Sequence, residues 1–202
     1  VLTELDVWPQ DAVDCSILVR GNYLYVCTCN GVDRSHRNIP SPNAPNLIVL
    51  DKRSGALAAV IDQPLGKAVF HGDWSSPTLT RIGDQELIVW GGGDGVCYAF
   101  DPQFEPGAEG RPGTLRQVWR FNCNPPHNLF KDGQRLPYNK GGKGPSEIIA
   151  TPVAANNRIY VAVGQDSRHG PGKGCLSCID ATQKGDITET GSSGLHALCS
   201  VT

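Results

Sequence analysis

The sequence lacks the excess of charge and the long apolar runs that mark several classes of protein. Its formal net charge is −2, its pI is near 6.2, and its Lys and Arg residues are scattered. Nothing therefore indicates binding to nucleic acid or to an anionic membrane surface. No segment approaches the roughly 20 apolar residues that a membrane-spanning helix needs. We expect no membrane span.

Signals for helices and for a signal peptide are also missing. Apolar residues do not recur at helical spacing between caps. The first residues, from Val1 to Asp6, do not begin with Met and show no basic region followed by an apolar run. They resemble the middle of a strand, which suggests that the chain derives from something longer.

What the sequence does have is a high content of turn-forming residues and an internal repeat. It contains 24 Gly and 15 Pro, which is typical of many short strands joined by turns. Three copies of one pattern lie near residues 15–59, 75–121 and 150–185. Each copy has a pair of small residues, an apolar strand, a polar turn, an alternating strand, a loop with Gly or Asp, and a last strand. The last strands end in Asp51, Asp101 and Asp180.

This repeat predicts an all-β fold. Short strands rich in Val, Ile, Tyr and Leu form antiparallel meanders, but a single such sheet has two apolar faces and is not stable alone. Stacking the sheets around an axis buries both faces. We therefore predict β-propeller blades, each a four-stranded antiparallel sheet. A β-sandwich is the alternative.

The copies resemble the pyrroloquinoline quinone (PQQ)-like repeat family, whose blades end in the pattern Ala-x-Asp-x-x-Thr-Gly-x-x-x-Trp. Ala99-Phe100-Asp101 supplies the start of this pattern, and Trp119 supplies its end after an insertion. Thr3 and Ala59 stand in the Trp position elsewhere. The resemblance covers residues 1–190 and implies that each Asp fixes a turn while each Trp stacks between blades. Residues 191–202 form an atypical tail.

The number of blades is too small for a ring. We count three to four blades, including half-blades at both ends, whereas propellers close with four to eight. The ring is therefore expected to be incomplete, either because sequence is missing or because open blade faces associate with a second copy. A small ligand or a protein is expected on the propeller axis.

Acidic and histidine side chains in the loops are candidate metal ligands. Asp33, Asp94 and Asp166 each follow the alternating strand of a copy, so symmetry places them on one rim, where carboxylates suit Ca²⁺. The alternative is that each Asp caps its own turn. Weaker candidates, as further ligands or general bases, are His36, His71, Asp73 and His169.

Cysteine is frequent, with eight residues, and two close pairs have spacings found in zinc sites. These pairs are Cys27 with Cys29 and Cys175 with Cys178. Both pairs lie on predicted alternating strands without flanking His or Cys ligands. We therefore expect half of each pair to face a core, where Cys behaves as a small apolar side chain, and we favour this burial over a zinc site.

Three functions are compatible with these features. The first is a ligand-binding or protein-binding scaffold. The second is a calcium-assisted hydrolase that opens a lactone or an ester with the rim Asp and His residues. The third is a PQQ-dependent oxidoreductase, but such enzymes in the family carry adjacent cysteines, and the absence of a Cys-Cys pair argues against PQQ as a cofactor. The resemblance also implies a periplasmic or extracellular location.

Overall fold

A computed structural model describes residues 3–10, 14–138, 144–166, 174–188 and 194–197. Strands dominate the described part of the chain, where the α-helix α1 is a single turn, Pro126–Leu129. Two 3₁₀ turns lie at Gly66–Ala68 and Ala108–Gly110. No helix among these residues is long and apolar enough to cross a membrane.

Sixteen strands occur in the described residues. They are β1 (Leu18–Arg20), β2 (Tyr23–Cys27), β3 (Leu47–Asp51), β4 (Leu57–Ile61), β5 (Thr78–Ile82), β6 (Gln85–Gly91), β7 (Val96–Phe100), β8 (Gly113–Leu115), β9 (Gln117–Asn122), β10 (Phe130–Lys131), β11 (Gln134–Arg135), β12 (Val153–Ala155), β13 (Arg158–Val163), β14 (Cys175–Asp180), β15 (Gly185–Asp186) and β16 (Gly194–Ala197).

The main strands form three sheets, each with four antiparallel strands in chain order. Blade 1 is β1–β2–β3–β4, blade 2 is β5–β6–β7–β9 and blade 3 is β12–β13–β14–β16, while β10 and β11 form a separate hairpin. This confirms the predicted all-β class and the four-stranded antiparallel blades. Residues 194–197, which belong to the predicted tail, pair with β14 as the fourth strand of blade 3.

Turn chemistry repeats from blade to blade, as the sequence pattern predicts. Asp51, Asp101 and Asp180 each accept a hydrogen bond from the backbone N–H two residues later, over 2.9, 2.9 and 3.1 Å. An Asp side chain that bonds in this way imitates a backbone turn. The structure thus confirms the turn-fixing role that the resemblance implies for these residues.

Neighbouring blades are joined by short parallel strands at their outer edges. β8 pairs with β4 of blade 1, and β15 pairs with β9 of blade 2. Along the chain, each of these strands comes between the third and fourth strands of its own blade. Blades 2 and 3 therefore each contribute a short strand to the edge of the preceding blade. This covering protects backbone groups that an open edge would expose.

The core consists of two layers, one on each face of blade 2. Leu87 and Val89 of β6 pack in a cluster with blade 3, whereas Ile88 and Trp90 pack in a cluster with blade 1. Because alternate side chains of a strand point to opposite faces, blade 2 is buried on both sides. The described residues form three blades, fewer than the four to eight that close a ring, so they do not form a closed ring.

The first residues differ from the prediction. Residues 3–6 form a turn, in which the Asp6 N–H donates to the Thr3 carbonyl over 3.2 Å. The predicted strand is therefore wrong for its described part. Among the described residues no strand pairs with this segment, and an isolated bridge joins Pro9 to Asn30.

Candidate functional site

Two sets of loops meet at one end of the blades, which we call the loop end. One set joins the second strand of a blade to the third, and the other connects one blade to the next. Backbone hydrogen bonds tie the two sets together: the Val32 N–H donates to the His71 carbonyl over 2.8 Å, and the Phe70 N–H donates to the Gly93 carbonyl over 2.9 Å. Loops held in this way on a rigid scaffold are common places for binding sites.

A groove with a volume of about 990 Å³ opens at the loop end. Its walls come from Val32 and from residues 36–39, 67–70 and 135–138. Three exposed cationic side chains, Arg37, Lys67 and Arg135, line it, and no Asp or Glu does. In the described part of the chain no carboxylate lies within 4.0 Å of these cations. The groove is therefore basic in a protein whose net charge is −2.

Aromatic rings form one side of the groove. Phe70 and Tyr138 stack with ring centroids 5.4 Å apart and an interplanar angle of 3°. The Tyr138 hydroxyl donates to Oε1 of Glu147 over 3.3 Å. Glu147 is fully buried, and burial raises the pKa of its carboxyl to about 7. Burial also raises the pKa of the Tyr138 hydroxyl, so this hydroxyl stays a hydrogen-bond donor.

Two of the predicted histidines come together beside the groove. Nδ1 of His36 lies 2.6 Å from Nε2 of His71, although 35 positions separate them. One of these nitrogens must accept the shared hydrogen. His71 is buried and contacts the edge of Trp74, with ring centroids 4.9 Å apart.

Two predicted carboxylates hold the loops in place. Asp73 is fully buried and accepts hydrogen bonds from the Asn46 amide over 2.6 Å and from the Gly93 N–H over 2.7 Å. Asp94 accepts from the Val96 N–H over 3.1 Å and from the Tyr98 hydroxyl over 2.6 Å. Burial raises the pKa of both carboxyls, to about 6 for Asp94.

The remaining candidates are Asp33, Asp166 and His169. Asp33 accepts hydrogen bonds from Ser35 and Asn38 in its own loop, and these bonds lower the pKa of its carboxyl. Asp33 and Asp94 thus both show the turn-capping role that we considered as the alternative to calcium binding. Asp166 is half-buried, and His169 lies outside the described residues. The calcium site stays a prediction.

Comparison with solved structures gives two similar chains. BamB from Moraxella catarrhalis is 17% identical, with 82% of this chain and 36% of that chain covered and a TM-score of 0.43. A quinohemoprotein alcohol dehydrogenase from Pseudomonas putida HK5 is 16% identical, with 87% and 26% covered and a TM-score of 0.53. The second likeness agrees with the stacked four-stranded sheets described above. The chain has the β-propeller fold.

The likeness to the alcohol dehydrogenase supports the fold of the propeller and not a function, because the identity is only 16%. The propeller spans about a third of the length of the first protein and about a quarter of the second. No protein-family model matches its sequence, and no curated protein matches it.

Sequence reasoning missed some groups that the propeller brings together. Among the described residues, one group of three or more His, Cys, Asp or Glu side chains has its ligand atoms within 4.8 Å, and it consists of Cys15, Cys27 and Cys29. Cys27 and Cys29 are buried, but Cys15 was not expected beside them. Aligning the repeats by strand register would have found Cys15, because the segment just before the first strand of a blade lies beside the end of the second strand of the same blade. The three groove cations carry no such signal.

Proposed function

We propose that this propeller is a PQQ-like repeat protein that acts as a binding scaffold, and that its groove takes an acidic segment of a partner protein. The observation that carries the proposal is the set of exposed cations Arg37, Lys67 and Arg135 around a groove without lining carboxylates. Cations without a carboxylate partner among the described residues are available to pair with carboxylates of a ligand.

The shape and the aromatic side of the groove favour a peptide over a compact metabolite. Its volume of about 990 Å³ is at the upper end of the range for small-molecule clefts. The stacked rings of Phe70 and Tyr138 offer an apolar surface next to the cations. A segment that alternates acidic and apolar side chains matches both features.

Fluorescence anisotropy with a labelled peptide of alternating Glu and Leu tests this function. A second peptide with Gln in place of Glu is the control ligand. We expect the acidic peptide to bind more tightly than the Gln peptide. Raising the salt concentration should reduce the difference, because salt screens exposed charges. Equal binding of the two peptides would contradict the proposal.

Charge reversal in the groove provides the matched protein variants. Lys67→Glu places a negative charge in the groove and is expected to weaken binding of the acidic peptide at least tenfold, or about 1.4 kcal/mol. Lys184→Glu makes the same change at an exposed position after β14, at the other end of the blades. Equal losses in both variants would indicate a net-charge effect and not a groove.

The groove supports binding and does not bear on a cofactor. The calcium-assisted hydrolase and the PQQ-dependent oxidoreductase therefore stay predictions. The periplasmic or extracellular location, which follows from the family resemblance, is part of the proposal and not of the findings.

A further inference from the structure

Three cysteine thiols lie together at the loop end of blade 1. The sulfur atoms of Cys15, Cys27 and Cys29 all lie within 4.8 Å of one another, and those of Cys15 and Cys29 are 3.5 Å apart. Three thiolates around one Zn²⁺ are separated by roughly 3.8 Å, since Zn–S bonds of about 2.3 Å meet at near-tetrahedral angles. The sulfur–sulfur distances in the cluster therefore differ from those of a zinc site by about 1 Å at most.

Blade 1 alone carries cysteine at these positions. The strand registers align Cys15 with the residue three positions before the first strand of each blade, and they align Cys27 and Cys29 with the end of the second strand and the loop after it. The equivalent residues of blades 2 and 3 are all small and none is cysteine: Ser75 and Ala150, Gly91 and Ala162, Gly93 and Gly164. Packing at these positions requires only a small side chain, so packing does not explain three thiols.

The backbone holds the cluster in place. Cys29 has a φ of 56°, a left-handed conformation that residues other than Gly rarely adopt. Its carbonyl accepts a hydrogen bond from the Gln10 N–H over 2.8 Å, and the Trp8 carbonyl accepts one from the Gly31 N–H over 3.1 Å. The segment that precedes blade 1 is thereby fixed against the loop that carries Cys29. This orders Cys29 before any ion binds.

The polarity of the cluster suits a cation. The thiols of Cys15 and Cys27 donate to the backbone carbonyl of Asp73, over 3.4 and 3.3 Å. A thiolate is the form of cysteine that binds metal. The Asp73 carbonyl oxygen borders two of the sulfurs and is available as a further ligand.

We propose that Cys15, Cys27 and Cys29 form a binding site for a soft d¹⁰ metal ion, Zn²⁺ or Cu⁺. Sulfur ligands select these ions over Ca²⁺ and Mg²⁺, which prefer oxygen. Binding forms three metal–sulfur bonds. Each of the three thiols releases one proton to solvent as it becomes a thiolate ligand, so three protons leave for each ion bound. Cys15 is half-buried and gives the ion its path of entry, while Cys27 and Cys29 are buried.

Spectroscopic titration of the reduced full chain, freed of metal by a chelator, tests the site. Co²⁺ added to the protein is expected to give thiolate-to-metal charge-transfer absorption that saturates at one ion per chain, and Zn²⁺ is expected to abolish this absorption. In a separate titration, Cu⁺ is expected to be withdrawn from a coloured chelator, also at one ion per chain. The relative affinities in these two titrations decide between zinc and copper. Absence of both signals would overturn the proposal.

Serine variants separate the cluster from the other thiols. Cys15→Ser is expected to reduce the affinity for Co²⁺ at least tenfold without unfolding the chain, because Cys15 is half-buried. Cys178→Ser, at a half-buried cysteine of blade 3, should leave the affinity unchanged. Equal losses in both variants would overturn the proposal. So would a Cys15–Cys29 disulfide in the isolated protein, found by peptide mapping, if its reduction does not restore metal binding.

Discussion

Ala59 and Trp119 occupy the same position in neighbouring blades. Each is the third residue of a fourth strand, and each lies opposite a glycine of a parallel outer strand, Gly113 for Ala59 and Gly185 for Trp119. Both side chains are fully buried, but they lie in different core clusters. The interface between blades 2 and 3 is thus filled by Trp119 from the fourth strand. The interface between blades 1 and 2 receives its tryptophan, Trp90, from β6.

Trp119→Ala is expected to destabilise the propeller by about 3–5 kcal/mol, because it leaves a cavity between two blades. The measurement is urea unfolding followed by circular dichroism. Trp119→Phe should cost less, since it keeps most of the apolar surface. Trp8→Ala, at a residue that is 45% exposed, is the control and should cost little. A loss at Trp119 no larger than the loss at Trp8 would refute the packing role.

The blades could be predicted from the sequence because their signals are local. Strand alternation, Gly and Asn turns, and the Asp at the end of each third strand depend on neighbours in the chain, and all recur at a fixed register. The turn at residues 3–6 could not be predicted in the same way. In sequence, Leu2-Thr3-Glu4-Leu5 parallels Val118-Trp119-Arg120-Phe121. Among the described residues, however, no strand pairs with residues 3–6, and tertiary context decides the conformation of so short a segment.

The candidate site could be predicted only in part, because its contacts join distant segments. His36 and His71 were both candidates, but their 2.6 Å contact depends on how a long loop of blade 1 folds back on the connection to blade 2. The groove cations Arg37, Lys67 and Arg135 come from three such segments. Single charges in loops are usually solvated and carry no pattern. Their convergence is a property of the fold and not of any motif.

Glu147 is expected to make stability fall as pH rises. Its carboxyl has a pKa of about 7 in the folded protein against an ordinary 4.5, so the folded state keeps a proton that the unfolded state has lost between these values. Stability is then full below about pH 4.5 and declines until about pH 7, by roughly 3 kcal/mol for a shift of this size. Glu147→Gln imitates the protonated form and should remove this decline.

Denaturant unfolding at two pH values checks the role of Glu147. At pH 5 the wild type and Glu147→Gln should have similar stability, and at pH 8 the variant should be more stable. Glu105→Gln, at an exposed position, is the control and should match the wild type at both pH values. If the difference in unfolding free energy between Glu147→Gln and the wild type is the same at pH 5 and pH 8, Glu147 titrates near its ordinary pKa.

Calcium held by Asp33, Asp94 and Asp166 is expected to raise Tm with rising calcium concentration, because a ligand that binds only the folded state stabilises it. Asp33 and Asp94 would first have to give up hydrogen bonds to their own loops. Mg²⁺ should raise Tm less, since it demands octahedral geometry and dehydrates reluctantly. Thermal melts of the wild type, Asp94→Ala and Asp166→Ala measure the effect. A calcium response unchanged in both variants would dismiss the rim site.

The outer faces of blades 1 and 3 are expected to associate with a second copy of the chain. Val153, Tyr160 and Leu176 share one face of blade 3 and are 61%, 37% and 39% exposed, and Val19 of blade 1 is 57% exposed. In the described part of the chain no blade covers these faces. On blade 2 the corresponding faces are buried against blades 1 and 3. A second copy of the chain is expected to cover the exposed faces of blades 1 and 3 in the same way. Such apolar surface drives association.

Sedimentation velocity over a range of micromolar concentrations measures this association. The wild type is expected to form species larger than the 21.6 kDa chain as its concentration rises. Val153→Lys puts a charge on the face of blade 3 and should raise the dissociation constant at least tenfold, or about 1.4 kcal/mol. Gln183→Lys adds the same charge at an exposed turn and should not. The exposed faces of blades 1 and 3 differ in sequence, so we expect a stack of copies to join blade 1 of one copy to blade 3 of the next. Val19→Lys should then weaken association as much as Val153→Lys does. A wild type that sediments as a monomer throughout would show that the exposed faces do not bind each other.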